Sequence, residues 1–282
     1  MALEFARRRL RWLWEMSSWK TLRTLDAVYS AKAAQGMVSV LIPALEDRAS
    51  LLDKRCLPSI ERQTFQNFEV IVVSETYSPE IDAAVSRRGG AYRYFWGTRK
   101  SKALSRADSV SLWCSGAAPN LNLAMKMARG EFFARMDDDD EWLPNHLDSA
   151  VRALTSSQSD FVSSNAFSAS GGLLPVVALD DFEFGDEYRW RAIQGSVGTT
   201  ITWLYRRHLR SYRFNENSWR KSHNRPVDYD FMLRIAAGGA RMHFNAEVTA
   251  RECIRPGANG LTGHRAHLVE FEARGGHGLR SI

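Results

Sequence analysis

The stretch that organises this chain reads GEFFARMDDDDEWLP at residues 130–144, a short apolar run that leads directly into four consecutive carboxylates. The run from Phe132 to Met136 is bounded by a glycine and by the acidic cluster, a pattern that predicts a short buried strand. The four aspartates would then lie at the carboxyl end of that strand, which is the end where open α/β sheets bind ligands.

Four adjacent negative charges repel one another, and no Lys or Arg alternates among them. Such a cluster suits a hard divalent cation, Mg²⁺ or Mn²⁺, which proteins hold through one or two carboxylates while phosphate and water complete the coordination. The pattern therefore favours a metal-diphosphate site. A second interpretation stays open at this point, a solvated acidic turn whose aspartates cap a helix starting near Leu143 and Pro144.

The composition is ordinary for a globular protein, with 282 residues, 44% hydrophobic and 25% charged. That length predicts one large domain with appendages. The three cysteines are scattered and odd in number, which excludes a disulfide framework or a zinc site and favours a reducing cytosol. A net charge of +6 suits an anionic partner, whether a nucleotide, an acidic membrane surface or nucleic acid.

Residues 1–36 form a separate segment in which arginines 7–9 and 11 stand among tryptophans and leucines. The segment lacks the continuous apolar region of a signal peptide, and no stretch of the sequence approaches the length of a membrane span. It predicts a basic amphipathic helix. Such a helix binds an anionic membrane surface or a partner, or it packs on its own domain.

The order of strands and helices after residue 36 predicts an α/β fold. Apolar runs at 38–43 and 68–73 read as buried strands, and a helical segment at 50–62 lies between them. This spacing is typical of a parallel crossover. A second crossover is expected through 79–88 to a strand at 91–96, and a helix at 120–128 leads to the acidic strand. A further strand is expected at 199–205.

Four blocks, at 38–43, 63–73, 120–142 and 228–235, resemble in order and spacing the family 2 glycosyltransferases. The resemblance implies the GT-A fold, a mostly parallel central sheet flanked by helices, with the N-terminal helical extension at 1–36. Residues 37–282 would form one transferase domain, with a nucleotide-binding half at 37–142 and an acceptor-binding half at 143–282. A nucleotidyltransferase would need the same metal, but the late block argues against it.

The resemblance assigns Asp137 and Asp139 to the D-x-D positions of the family. Asp139 would bind the metal that bridges the donor diphosphate, and Asp137 would share the metal or lie nearer the ribose. Asp138 would belong to the donor site between them. Asp140 and Trp142 would face the acceptor.

The resemblance also assigns donor-binding residues in several loops. Pro43 and the loop after it, with Glu46, would border the base, and Glu75 would read the edge of the base. Asn120 would lie near the donor sugar and phosphate, where its amide can donate and accept hydrogen bonds. Arg255 stands where the family usually has a histidine, and it would grip the diphosphate or else be a surface arginine.

Asp228 matches the catalytic base of the family, a carboxylate that accepts the proton of the attacking hydroxyl. Its neighbour Asp230 is a rival for this role. A second interpretation is that Asp228 caps a helix at 229–237. The sequence departs from the family pattern at residues 44–46, 74–75, 119 and 227, which leaves the identity of the donor open.

The resemblance implies an inverting, metal-dependent transferase that uses Mn²⁺ or Mg²⁺ and a nucleotide-diphosphate sugar, with a UDP-sugar favoured. The acceptor would be a hydroxyl of a glycan or a lipid-linked acceptor, in polysaccharide or glycoconjugate biosynthesis. The alternative is a non-catalytic nucleotide- or glycan-binding module of a polysaccharide-assembly complex. Nucleic acid is not an expected partner. We expect a cytoplasmic protein, with peripheral attachment to the inner face of the cell membrane through residues 1–36 as a further expectation.

Overall fold

The computed structural model describes residues 33–100, 104–107, 111–112, 115–179, 195–218 and 226–253. The predicted N-terminal helical extension lies outside these residues except for its last four, and Arg255 lies outside them as well. Within the described residues, no helix has both the length and the apolar character needed to cross a membrane.

The strands of the described residues form one large sheet and one small one. The strands are β1 Ala34–Pro43, β2 Phe68–Val73, β3 Tyr92–Phe95, β4 Gly130–Arg135, β5 Glu141–Trp142, β6 Phe161–Phe167, β7 Val177–Ala178, β8 Ser196–Val197, β9 Leu204–Arg206 and β10 Met242–Arg251.

Helices cover both faces of the large sheet. The α-helices are α1 Ala49–Leu51, α2 Leu57–Glu61, α3 Pro79–Ser86, α4 Ala118–Met127, α5 His146–Ser156 and α6 Val227–Gly238. A π-helical turn, Leu52–Cys56, joins α1 to α2. Short 3₁₀ helices lie at Glu46–Arg48, Leu104–Arg106, Thr200–Thr202 and Arg207–Tyr212.

The large sheet has the strand order β3-β2-β1-β4-β9-β6-β10-β5. Strands β3, β2, β1 and β4 are parallel, so their carboxyl ends share one edge of the sheet. Strand β9 pairs antiparallel with both β4 and β6, while β6 and β10 are parallel. The sheet is therefore mostly parallel and flanked by helices, as the sequence predicted.

Each face of the sheet carries its own apolar core, because successive side chains of a strand point to opposite faces. Leu41, Ile71 and Phe133 pack against α4 and α6 on the first face. Val40 and Val70 belong to the second core, which α1 to α3 and α5 cover. Burial on both faces explains why these strands read as continuous apolar runs.

The predicted second strand agrees with β2 residue for residue, but two other expectations need correction. Strand β1 begins at Ala34, whose N–H donates to the carbonyl of Arg129 across 2.9 Å, so residues 34–36 belong to the sheet and not to the separate N-terminal segment. The strand expected at 199–205 is only β9, Leu204–Arg206. Before it, the Thr202 hydroxyl donates to the carbonyl of Thr199 at 2.7 Å, a local bond that favours the 3₁₀ turn over extended backbone.

Candidate active site

The predicted site residues gather at the edge where β1, β2 and β4 end. Pro43, the last residue of β1, pairs with Val73 at the end of β2, and the four aspartates follow β4 directly. The aspartates do not cap the next helix, because α5 begins at His146 with Asn145 as its N-cap. The helix-cap interpretation of the acidic run is therefore wrong.

Asp138 points into the protein and binds the loop that follows β1. Its side chain accepts a hydrogen bond from the backbone N–H of Leu45 at 2.8 Å and another from the Arg48 guanidinium at 3.0 Å. Burial raises the pKa of the Asp138 carboxyl to about 7, although the charge of Arg48 acts in the opposite direction. The predicted donor contact of Asp138 needs correction, because the chain itself occupies both carboxylate oxygens.

Asp137 and Asp139 offer the carboxylate oxygens for a cation. An Asp137 oxygen lies 3.0 Å from the Arg135 guanidinium, and an Asp139 oxygen lies 3.5 Å from that of Arg48. The Asp137 side chain is 30% exposed and that of Asp139 is 8% exposed. The described residues contain no group of three side chains that could hold a metal ion. Hard carboxylate oxygens nevertheless fit Mg²⁺ or Mn²⁺, provided that phosphate and water supply the other ligands.

The two residues predicted to face the acceptor are both turned inward. Asp140 is buried and accepts a hydrogen bond from the N–H of Cys253 at 2.9 Å, and burial raises its pKa well above the ordinary value. The indole of Trp142 is 1% exposed, stacks on His146 and donates to the carbonyl of Ile201 at 2.7 Å. The prediction that Trp142 contacts an acceptor is therefore wrong, and Asp140 instead fixes the segment that follows β10.

Arg135, the last residue of β4, joins the acidic run to Asp228. Its guanidinium lies 3.0 Å from an Asp137 oxygen and 3.1 and 3.3 Å from the two Asp228 oxygens. Burial alone would lower the pKa of Arg135, but the charges of Asp137 and Asp228 outweigh this effect and raise the pKa above its ordinary value. A buried arginine with two carboxylate partners therefore fixes Asp228 beside the D-x-D residues.

Asp228 lies in the first turn of α6, after the N-cap residue Pro226, and its carboxylate is directed to Arg135. The helix-cap interpretation of Asp228 is therefore wrong. Burial raises the pKa of Asp228, while the Arg135 charge lowers it. A carboxylate with a raised pKa is a stronger proton acceptor once it is ionised, which suits a general base.

Asp230, the rival base, has a structural role. It is fully buried and accepts a hydrogen bond at 2.7 Å from Arg234, one helical turn further along α6. Arg234 also donates to the carbonyl of Arg213 at 2.6 Å. This ion pair ties α6 to the preceding 3₁₀ segment, which leaves Asp228 as the base candidate.

The remaining predicted donor residues lie in the loops at the same edge. Glu46 accepts hydrogen bonds from the Thr76 backbone N–H at 2.9 Å and from the Thr76 hydroxyl at 2.7 Å, which joins the loops after β1 and β2. Burial would raise the pKa of Glu46, but these hydrogen bonds outweigh it and lower the pKa. The predicted base contact of Glu46 stays a prediction.

Glu75 and Asn120 lie beside an open cavity of about 420 Å³, which Glu75 lines together with Lys100. Glu75 forms an ion pair with Lys100. The side-chain amide oxygen of Asn120 accepts a hydrogen bond from the Thr98 hydroxyl at 2.6 Å. The predicted contacts of these two residues with the nucleotide stay predictions.

Three cationic residues of the site were missed at the sequence level. Arg48 and Lys100 are distant in sequence from the carboxylates that they contact, so no local pattern could have identified them. Arg135 did leave a signal, because it is a charged residue at the end of an otherwise apolar strand. The acidic run is thus partly neutralised by arginines from its own strand and from a neighbouring loop.

A sequence model of the family described as glycosyl transferase family 2 matches residues 113–215, a segment that includes the acidic run and β9. This segment of the chain is therefore similar to the family 2 glycosyltransferases. Two relatives come from Escherichia coli. WcaA of strain K12, a glycosyl transferase assigned to colanic acid biosynthesis, is 23% identical over 206 residues, or 71% of this chain. The UDP-Glc:alpha-D-GlcNAc-diphosphoundecaprenol beta-1,3-glucosyltransferase WfgD is 24% identical over 134 residues, or 46% of this chain.

Two solved structures share the fold of this chain. TarS of S. aureus in complex with UDP-GlcNAc is 16% identical, with a TM-score of 0.55 over 84% of this chain and 66% of that one. The mannosyltransferase PcManGT of Pyrobaculum calidifontis, in complex with GDP-Man and Mn2+, is 19% identical, with a TM-score of 0.53 over 97% of this chain and 72% of that one. The predicted GT-A fold is therefore confirmed. The chain spans 66% and 45% of the lengths of the two Escherichia coli relatives.

Proposed function

We propose that this protein is an inverting glycosyltransferase that moves a sugar from a nucleotide-diphosphate donor to a hydroxyl of a glycan or lipid-linked acceptor. One observation carries the proposal: Arg135 holds the largely buried Asp228 carboxylate beside the D-x-D residues, at the edge where a donor would bind. The names of the relatives support it. WfgD uses UDP-Glc and a diphosphoundecaprenol acceptor, and the neighbouring structures contain UDP-GlcNAc or GDP-Man.

The reaction needs a proton acceptor on the face of the donor sugar opposite the diphosphate. Asp228 takes the proton of the acceptor hydroxyl as that oxygen forms its bond to the anomeric carbon, while the bond from this carbon to the diphosphate oxygen breaks. The electron pair of the broken bond leaves with the nucleoside diphosphate. Arg135 orients the Asp228 carboxylate, and its charge lowers the pKa of that carboxylate against the opposite effect of burial.

The carboxylates of Asp137 and Asp139 would hold Mn²⁺ or Mg²⁺, which neutralises the charge that develops on the leaving diphosphate. Asp138 and Arg48 keep the neighbouring loop in place, so the run presents alternate carboxylates to the site. The Mn2+ bound in PcManGT supports a divalent cation, with the choice between the two ions left to experiment.

The donor side of the site is proposed at the cavity that Glu75 and Lys100 line. Asn120 lies next to it through its hydrogen bond with Thr98. A UDP-sugar remains the favoured donor, since WfgD uses UDP-Glc and one neighbouring structure contains UDP-GlcNAc.

The test is a calorimetric and activity panel of UDP-, GDP-, dTDP- and CDP-sugars, each with and without Mn²⁺. We expect one nucleotide class to bind in the presence of the metal and to be consumed when an acceptor mixture is added. A protein that binds a donor tightly but neither transfers nor hydrolyses it would be the non-catalytic module. If no nucleotide sugar binds under any condition, the transferase and the nucleotide-binding module are both refuted.

A further inference from the structure

An exposed aromatic cluster lies at the edge of the sheet, outside the residues assigned to the transfer site. Tyr77 and Trp96 are 48% and 51% exposed, and their ring centroids are 4.9 Å apart in an edge-to-face arrangement. Tyr94 completes the cluster, with its ring centroid 5.3 Å from that of Trp96 and 6.3 Å from that of Tyr77. Large aromatic side chains that contact one another and still expose about half of their surface are typical of a binding surface.

The polar ends of the two tyrosines are fixed by hydrogen bonds. The Tyr77 hydroxyl donates to the Asp82 carboxylate at 2.8 Å. The Tyr94 hydroxyl accepts a hydrogen bond from the Ser78 N–H at 3.0 Å and lies 3.2 Å from the Thr76 carbonyl, to which it donates. The cluster is therefore held in place through its hydroxyl groups, and what it offers to a ligand is apolar ring surface.

The cluster and the proposed donor cavity lie on different faces of the sheet. Tyr94 packs against the core that contains α3, whereas the next residue, Phe95, packs against the core that contains apolar residues of α4. Tyr77, Tyr94 and Trp96 are absent from the lining of the cavity beside Glu75. From the acidic run the cluster is separated along the sheet, because β3 is three strands away from β4, about 14 Å at the usual spacing of neighbouring strands.

The charges around the cluster restrict the class of ligand. Two carboxylates lie beside the cluster. Asp82 accepts a hydrogen bond from the Tyr77 hydroxyl, and Glu80 accepts one from the hydroxyl of the adjacent Ser78 at 2.9 Å. Carboxylates repel a nucleotide, a nucleic acid or an anionic lipid surface. A neutral pyranose fits, because its C–H face packs on the negative face of an aromatic ring while its hydroxyls donate to carboxylates.

We propose that Tyr77, Tyr94 and Trp96 form a second carbohydrate-binding site, which holds a neutral sugar of a glycan chain away from the site of transfer. Trp96 supplies the largest ring surface, and Asp82 supplies a hydrogen-bond acceptor beside the rings. The site goes beyond the proposed function and does not depend on it, since a non-catalytic protein would bind the same glycan.

The experiment is saturation-transfer NMR on the full chain with three neutral probes, namely cellohexaose, chitohexaose and maltohexaose. We expect at least one of them to bind, and to remain bound when UDP and Mn²⁺ are present at saturation. Trp96→Ala should weaken that binding about tenfold, or about 1.4 kcal/mol, because the variant loses the largest ring surface of the cluster. Tyr77→Ala should weaken it less.

Leu173→Ala is the matched control, since Leu173 is a large exposed apolar side chain elsewhere on the surface and its removal should leave binding unchanged. Three results would each overturn the proposal: no binding of any of the probes, equal binding by Trp96→Ala and the parent, or displacement of the glycan by the nucleotide. The last result would assign the cluster to the donor site. A protein that binds glycan through Trp96 but no nucleotide sugar would refute the proposed function alone.

Discussion

Replacing Asp228 by Asn gives the sharpest test of the proposed reaction. Asn has nearly the shape of Asp, and its amide oxygen can still accept a hydrogen bond from Arg135, which lies 3.1 and 3.3 Å from the present oxygens. The substitution therefore removes the proton acceptor while the surrounding structure stays in place. General-base catalysis contributes about 10²–10⁴ in rate, so the transfer rate should fall by that factor, which corresponds to about 3–5 kcal/mol in activation free energy.

Donor binding and folding should change little in Asp228→Asn. Arg135 keeps Asp137 as its partner at 3.0 Å, so the loss in stability should be about 1–3 kcal/mol, or a few degrees in Tm. The assay is single-turnover transfer at saturating donor, with calorimetry of donor binding on the same preparation. A variant that transfers at the parental rate would refute the assignment of Asp228 as base.

Asp230→Asn is the matched control on the same helix. Because Asp230 is fully buried and paired with Arg234 at 2.7 Å, this substitution should lower the free energy of unfolding by more than Asp228→Asn does. The folded fraction should keep the parental rate constant. A dead Asp230→Asn beside a fully active Asp228→Asn would reverse the two roles.

Two further predictions concern the same site, and a third concerns the N-terminal segment. Asp139→Asn should abolish Mn²⁺-dependent nucleotide binding, measured by calorimetry, without unfolding the chain. Asp148→Asn is the control, because Asp148 is an exposed carboxylate of α5 and its replacement should leave this binding unchanged. Unchanged nucleotide affinity in Asp139→Asn would contradict the metal site. Arg135→Met should move the acid limb of the rate profile to higher pH. Burial raises the pKa of Asp228 and the charge of Arg135 lowers it, so removing the guanidinium raises this pKa further. Because the ionised carboxylate is the active form, the variant should lose activity at a higher pH than the parent as the pH falls. An acid limb at the parental pH would show that Arg135 does not act on Asp228. Removing residues 1–30 should abolish flotation with anionic liposomes while leaving a folded domain, because exposed basic residues bind such surfaces; equal flotation of the two proteins would refute the membrane role of this segment.

The sequence predicts the parallel half of the fold well, because its strands are buried on both faces and read as unbroken apolar runs. The strand β2, Phe68–Val73, agrees with the prediction in every residue for this reason. Strands β6 and β10 were not anticipated. Polar residues interrupt both of them, including Ser163 and Ser164 in β6 and Asn245 in β10, and β10 contains irregularities in its register with β6. A pattern method has little to detect in such strands.

The candidate site was predicted less completely than the fold, since sequence shows which carboxylates exist but not where each one points. Asp137, Asp138, Asp139 and Asp140 are adjacent in sequence, yet Asp138 turns to Leu45 and Asp140 to Cys253. These two directions are set by long-range contacts, which single-sequence patterns do not contain. The predicted role of Trp142 was wrong for the same reason, because the burial of its side chain depends on packing against segments that are distant in sequence.

The balance of charge at this edge explains why carboxylates with unequal roles lie together. The acidic run and Asp228 contribute five carboxylates, and Arg48 and Arg135 pair with carboxylate oxygens of this group. Arg55 donates instead to the backbone carbonyl of Asp139 at 3.0 Å. Burial and mutual repulsion raise the pKa of both Asp138 and Asp140. A divalent cation at the D-x-D carboxylates would lower these pKa values, and by linkage its affinity should rise with pH. The arginines thus hold the carboxylates at fixed positions, while the remaining negative charge favours a cation and the diphosphate that it would bring.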